Sequence, residues 1–340
     1  MTEFLGLFHR YQQHQKLEFE GGFSFMAERH HFRARQYFSG DHMSKCNTSF
    51  LLPAVVLATG IIWGIYWLPV RELDAMGFAG AWGTVAITLA TVLLLLPFVL
   101  TRASSIITAD RVGLLAIALG GVAFALYSIG FVYGRVAIII LLWFLSPVWS
   151  TLIGKLIMGW PTPRLRIAAI IVGLFGLFVM MGGDGGLPIP KSLGEWMSLA
   201  GGVIWAFATT GMRTRSDIKP VSSAFVFALG ALSAAIILAP VLEPLPVIDL
   251  QYLWPAGLLS FMTGGLWWGL SLSALMWATV RIDPTRVSIL LMSEVLIGAL
   301  SAAYLASEHL SWIEIVGGSL VMLAGILEIA SKPRSELTTK

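Results

Sequence analysis

An all-α, polytopic membrane protein is the fold class that this 340-residue sequence predicts, and three observations predict it. Ten apolar stretches lie between Phe50 and Ala330, most of them about 20 residues long, the length a helix needs to cross a hydrocarbon core of roughly 30 Å. Apolar residues make up 57% of the chain and charged residues 12%, with a mean hydropathy of +0.81; an average soluble protein is about 25% charged. Only Lys155 and Glu294 are ionisable residues well inside any stretch. Lipid satisfies no backbone N–H or C=O group, so apolar stretches of this length must be helices.

In order, the expected spans are Phe50–Val70, Phe78–Leu100, Val112–Gly134, Val136–Gly159, Ile167–Gly182, Trp196–Met212, Val221–Leu242, Trp254–Val280, Val287–Ala306 and Trp312–Ala330. The fifth and sixth are short but bounded by clear polar breaks. The connections are tight, so successive helices are expected to be antiparallel neighbours. With the start of span one in the cytoplasm, the inner gaps hold Lys45, Arg102, Arg111, Arg164, Arg166, Arg213, Arg215, Lys219, Arg281, Arg286, Lys332, Arg334 and Lys340. The outer gaps hold only Arg71, Arg135 and Lys191. This asymmetry orients the chain with both termini cytoplasmic.

The net charge of +3 and pI near 9.1 do not point to nucleic acid, because the basic residues sit in gaps between spans. Cys46 is the single cysteine and forms no internal disulfide. A cleavable signal peptide is not expected, since the first apolar span starts at Phe50 and is too long for an h-region. Residues 1–48 read as a cytosolic tail without apolar period, with Met43 as an alternative natural start. The tail holds His9, His14, His30, His31 and His42, and a histidine-rich tract can bind metal; the plain reading is disorder. Phe4, Leu5, Leu7, Phe8 and Tyr11 also allow a short amphipathic turn at a membrane surface.

Five spans precede the Asp184–Lys191 gap and five follow it, and the halves echo each other. Trp63-Gly64 answers Trp205-Ala206, Ser146-Pro147 answers Ser293-Glu294, and Ile171-Val172-Gly173 answers Ile315-Val316-Gly317. Five spans per copy invert the second copy in the membrane, a pattern found in transporters with a midplane site between the halves. The expected organisation is therefore a tail (1–48), a first five-helix repeat (49–183), a second inverted repeat (184–331) and a short cytosolic tail (332–340).

Candidate functional residues follow from cost. A carboxylate at the depth of Glu294 must face protein or water, find a partner or be protonated. It reads as a contact for a cation or amine, a proton-coupling site, or a satisfied polar bridge. Lys155, in the inner third of span four, either pairs with Glu294 as a gate or snorkels to the cytoplasmic headgroups. Tyr127 and Phe131 share a face of span three. Trp143 and Trp205 lie mid-span, away from the interfacial positions that account for Tyr133, Trp196, Trp254 and Trp312. These aromatics are either cavity walls, suited to planar groups and organic cations, or packing. Pro147 removes a backbone donor mid-span and is expected to kink span four as a hinge. Gly60-xxx-Gly64 and Gly130-xxx-Gly134 allow close helix approach. No catalytic, metal or phosphate-binding motif is present, and Gly182-Gly183-Asp184-Gly185-Gly186 lacks the strand and lysine of a phosphate loop.

From Phe50 to Ala330 the chain resembles the drug/metabolite transporter superfamily in its EamA-type branch. The resemblance rests on Trp63-Gly64, Ala125-Leu126-Tyr127, the Ser146-Pro147 step, and Glu308 with His309-Leu310-Ser311 before the small-residue tenth span. Met181 to Leu187 with Trp205 further resembles the aromatic amino-acid exporters of that branch. The resemblance implies that spans three, four, eight and nine surround a central cavity, with five and ten outside, and that transport is by alternating access. It implies export of amino acids, aromatic ones favoured, or similar metabolites across a bacterial inner membrane, without a cofactor. Members often carry proline where this chain has Glu294 or Val295, so span nine is expected to lack a kink. The alternatives left open are a proton-coupled exporter of lipophilic cations and, in another class, an intramembrane enzyme or scaffold.

Overall fold

The computed structural model describes residues 45–101, 106, 109–156, 164–182, 189–215, 220–279, 287 and 290–330. Contacts divide the chain into Met1–Leu51 and Leu52–Lys340. Of the first unit, residues 45–51 are described, as helix; the histidine-rich tract and its amphipathic turn lie outside the described residues, as does most of the Gly182–Gly186 loop.

Among the described residues the regular structure is entirely helical: α1 (Lys45–Gly64), α2 (Trp67–Ala75), α3 (Ala81–Leu100), α4 (Arg111–Tyr133), α5 (Val136–Trp143), α6 (Ser146–Leu156), α7 (Arg164–Met181), α8 (Leu193–Arg215), α9 (Pro220–Leu242), α10 (Leu250–Thr263), a π-helical segment (Gly264–Ser271), α11 (Leu272–Thr279), α12 (Ser293–Leu305) and α13 (Trp312–Ala330). Among the described residues seven helical stretches are long and apolar enough to cross a membrane: Leu51–Ala75, Ala81–Leu100, Arg111–Tyr133, Val136–Leu156, Arg164–Met181, Val221–Leu242 and Leu250–Leu275. The sixth, ninth and tenth expected spans fall on α8, α12 and α13. Large apolar side chains such as Phe98, Ile171, Phe178, Ile237 and Leu300 stand exposed, as a lipid-facing surface requires.

Several spans are interrupted, and local chemistry explains where. Span one breaks at Ile65-Tyr66, where Tyr66 N–H bonds Trp63 O (3.1 Å) and Leu68 N–H bonds Ile65 O (3.1 Å). Pro69 sits in the first turn of α2, where a missing N–H costs a helix nothing. Span four repeats the device. It breaks at Phe144-Leu145, and Pro147 is the second residue of α6. The expected mid-span kink at Pro147 is thus a break just ahead of it, with the proline starting a new helix. Span nine, expected to be unbroken, has a turn at Met292 directly before α12. There the Ser293 hydroxyl takes the Leu290 carbonyl (2.8 Å), the side-chain competition that loosens helices without proline. Ser146-Pro147 and Ser293-Glu294 therefore occupy equivalent places, as the first two residues of the helix after each break.

Glycines set the closest helix contacts. A Cβ on Gly64 would lie 2.8 Å from Glu294 O, and one on Gly60 would lie 3.3 Å from Glu294 N, so α1 is the seat of the α12 turn that carries Glu294. On α4, Gly121 lies against the Phe227 carbonyl, and a Cβ there would come within 2.7 Å of Ala231 N. Gly121→Ala is expected to push α4 and α9 apart and cost about 1–3 kcal/mol, read as a lowered thermal midpoint of the purified protein; an unchanged midpoint contradicts the packing described. At the margin, α7 and α13 pack glycine on glycine: a Cβ on Gly176 would meet Gly317 O at 2.8 Å, and one on Gly317 would meet Gly176 O at 2.7 Å.

Candidate functional site

Helix α4 is the centre of the site. Phe124, Tyr127 and Phe131 recur at helical spacing on one buried face, with Tyr127 and Phe131 fully enclosed. Tyr127 meets Phe131 edge-on (centroids 4.7 Å apart) and stacks on Trp143 at the end of α5 (4.7 Å, planes 26° apart). Trp143 continues to Trp205 of α8 (5.5 Å), and Trp205 to Phe227 of α9 (6.1 Å). The Tyr127 hydroxyl donates to Glu294 Oε1 at 3.2 Å. Tyr127, Phe131, Trp143, Trp205 and Glu294, picked out separately in the sequence, are thus brought into one connected group drawn from α4, α5, α8 and α12.

Glu294 is buried, 8% exposed, at the second position of α12. The arrangement gathers buried aromatic rings around one carboxyl group, with its Oε1 held by the Tyr127 phenol. Of the two outcomes open for Lys155, pairing with Glu294 or snorkelling, the described residues show no Lys155–Glu294 ion pair. Lys155 is exposed in the last turn of α6, where a cation suits the helix C-terminus and a long stem reaches a headgroup layer.

Other rings complete the cluster. Phe124 touches Trp63 (4.6 Å) and Trp268 (4.9 Å) edge-on, and Tyr66 lies 6.4 Å from Phe131. Their polar atoms are paired across helices. Trp268 Nε1–H donates to Tyr66 Oη (3.1 Å), which shares a hydrogen bond with Ser128 Oγ (3.0 Å), which in turn meets Thr84 Oγ1 (2.9 Å). Trp67 Nε1–H donates to Ser301 Oγ (2.9 Å). The sequence reading did not single out Tyr66, Trp268, Ser128 or Thr84 as site residues. The available signal was the presence of Ser and Thr inside apolar spans beside Trp and Tyr, since a buried hydroxyl or indole N–H must find a partner.

A charged layer lies at the opposite end of α12 from Glu294. Glu308 accepts from the N–H groups of Val136 (2.7 Å) and Ala137 (3.2 Å) and so caps α5. Arg71 reaches Glu308 (3.4 Å) and donates to the carbonyls of Phe131 (2.9 Å) and Gly134 (2.8 Å) at the end of α4. Arg135 pairs with Glu314. Glu314 also takes the N–H of Ser311 (2.8 Å), and its own N–H bonds Ser311 Oγ (3.3 Å), a capping box on α13. Among the described residues no group of His, Cys, Asp and Glu could hold a metal ion.

Apolar helices of membrane-crossing length, several of them interrupted, define a class: multi-pass helical membrane proteins. Residues 192–330, from the start of α8 to the end of α13, match the EamA-like transporter family, which supports the drug/metabolite transporter superfamily and a small-molecule substrate. Sixteen solved chains are similar. One of them, described simply as a protein, aligns with a TM-score of 0.52 and 16% identity over 83% of this chain and 96% of its own, so the fold is shared. No curated protein matches.

Proposed function

We propose that this chain is a secondary or facilitative transporter that exports amino acids, aromatic ones favoured, or related small metabolites by alternating access. In this reading it crosses a bacterial inner membrane ten times as two inverted five-helix repeats, with both termini cytoplasmic. The observation that carries it is the Tyr127–Trp143 stack with Glu294 at its edge: ring faces for a planar side chain and a carboxylate for its ammonium group. The match of residues 192–330 to the family has the length of one repeat, which agrees with a chain of two. Tyr127, Phe131, Trp143, Trp205 and Glu294 line the substrate path, and the break ahead of Pro147 lets α5 and α6 change their mutual angle.

A second reading is a proton-coupled exporter of lipophilic cations. It is favoured by one observation, that Lys155 stands away from Glu294 and leaves the carboxylate with a phenol as its described partner. Counterflow of labelled tryptophan and of a lipophilic cation into proteoliposomes tests both. Tryptophan counterflow that persists after collapse of the pH gradient, and that continues in Glu294→Gln with a raised KM, is the expected result. Cation exchange lost under both changes replaces the first reading with the second, and no counterflow of either solute removes the transporter reading.

A further inference from the structure

Two irregular stretches of backbone face each other across the halves of the chain. One is the broken turn at Ile62–Tyr66, between α1 and α2; the other is the π-helical segment Gly264–Ser271. They are tied by indole N–H groups. Trp267 Nε1–H donates to the Ile62 carbonyl at 2.6 Å, Trp63 Nε1–H to Ser271 Oγ at 2.8 Å, and Trp268 Nε1–H to Tyr66 Oη at 3.1 Å. The first of these is compensation for the break. Ile62 O would accept from Tyr66 N–H in an unbroken helix, but Tyr66 N–H bonds Trp63 O instead. Ile62 O is left with a long bond from Ile65 N–H (3.3 Å), and the Trp267 indole completes it. Trp63, Tyr66, Trp268 and Ser271 are all buried, so in a bilayer these bonds have no water to replace them.

π-helical turns mark functional sites and places where a helix changes register. This one has glycine at Gly264, Gly265 and Gly269, and Gly264 lies against the α3 backbone, where a Cβ would meet Ile87 O at 2.8 Å. Both stretches also border the aromatic centre, since Trp63 and Trp268 each meet Phe124 edge-on. A ligand that moves the Phe124 ring therefore presses on both at once.

We propose that the broken turn of span one and the π-helical segment of span eight work as one hinge, with Trp63, Trp267 and Trp268 as the positioning residues that make them move together. Neither stretch straightens or shifts without breaking the indole bonds to the other, so a conformational step begun in one half is carried into the other. This rests on the transporter reading for its consequence but not for its structural content.

The test uses full-length protein in nanodiscs and proteoliposomes, with Trp63→Phe, Ser271→Ala and the double variant. Trp63→Phe keeps an aromatic ring at 63 but loses the indole N–H, and Ser271→Ala removes its acceptor together with the hydroxyl that donates to the Trp267 carbonyl. Backbone hydrogen–deuterium exchange is expected to rise in both 62–66 and 264–271 in each single variant, and no further in the double variant. Tryptophan counterflow is expected to slow about fivefold to tenfold, the scale of one lost buried hydrogen bond, while the equilibrium affinity for tryptophan stays within about twofold. An exchange increase confined to the mutated stretch overturns the shared hinge, as do rate losses that multiply in the double variant or a parental rate in both single variants. If the parent protein moves no solute, the transport reading fails while the exchange pattern still decides the coupling.

Discussion

Tyr127→Ala is expected to weaken solute binding about tenfold or more and to lower stability by about 3–5 kcal/mol, the range for deleting a buried aromatic ring. The ring touches Phe124, Phe131 and Trp143 and its hydroxyl holds Glu294, so one truncation removes the stacking face and the orienting donor together. Tyr127→Phe separates the two. It keeps the ring and leaves a buried carboxyl oxygen without its donor, a loss of about 1–3 kcal/mol that should appear in affinity for an amine-bearing solute more than in the melting temperature. Intrinsic tryptophan fluorescence titrations and thermal melts of the two variants check this. Parental affinity in Tyr127→Ala would show that the stack is packing alone.

Glu308→Ala is expected to be the most destabilising change in the charged layer, by about 2–4 kcal/mol from the lost cap and the lost charged hydrogen bond. The carboxylate serves two backbone N–H groups of α5 and the Arg71 guanidinium, and its side chain is 9% exposed. Arg71→Ala should cost less, because the arginine is 32% exposed and water takes over part of its role. The two share partners, so the double variant should lose less than the sum. Melting temperatures of the three proteins decide it; strictly additive losses would mean that the arginine and the glutamate act separately.

The parts of this molecule that hydropathy governs were legible in the sequence. Apolar runs of bilayer length have one low-energy backbone state, so the described residues of the expected spans are largely helical, and seven of the stretches are long and apolar enough to cross a membrane. The Tyr127–Phe131 face was readable because both lie on one helix, where spacing alone fixes their direction. Their meeting with Trp143, Trp205 and Glu294 depended on how four helices pack, and the cost of burying a carboxylate was the one hint of it. Interruptions were less legible. Pro147 pointed to the span-four break within a few residues, and Pro69, in the same kind of place, signalled the span-one break but was not read that way. The turn at Met292 follows from a serine hydroxyl taking a carbonyl, and the π-helical segment from glycines pressed against α3; neither leaves a periodic signature. Lys155 stayed open between pairing and snorkelling because depth along a helix says nothing about whether a flexible stem turns inward or out.

The glycine-on-glycine contact of α7 with α13 restricts motion. At Gly176 and Gly317 each backbone lies so close to the other that a single methyl group would collide. The outer faces of these two helices carry exposed residues such as Phe175, Phe178 and Val316. The two helices are therefore held at one fixed separation along this line. Sliding of α7 along α13 is hindered there, because any shift brings a larger side chain onto a seat that admits only glycine.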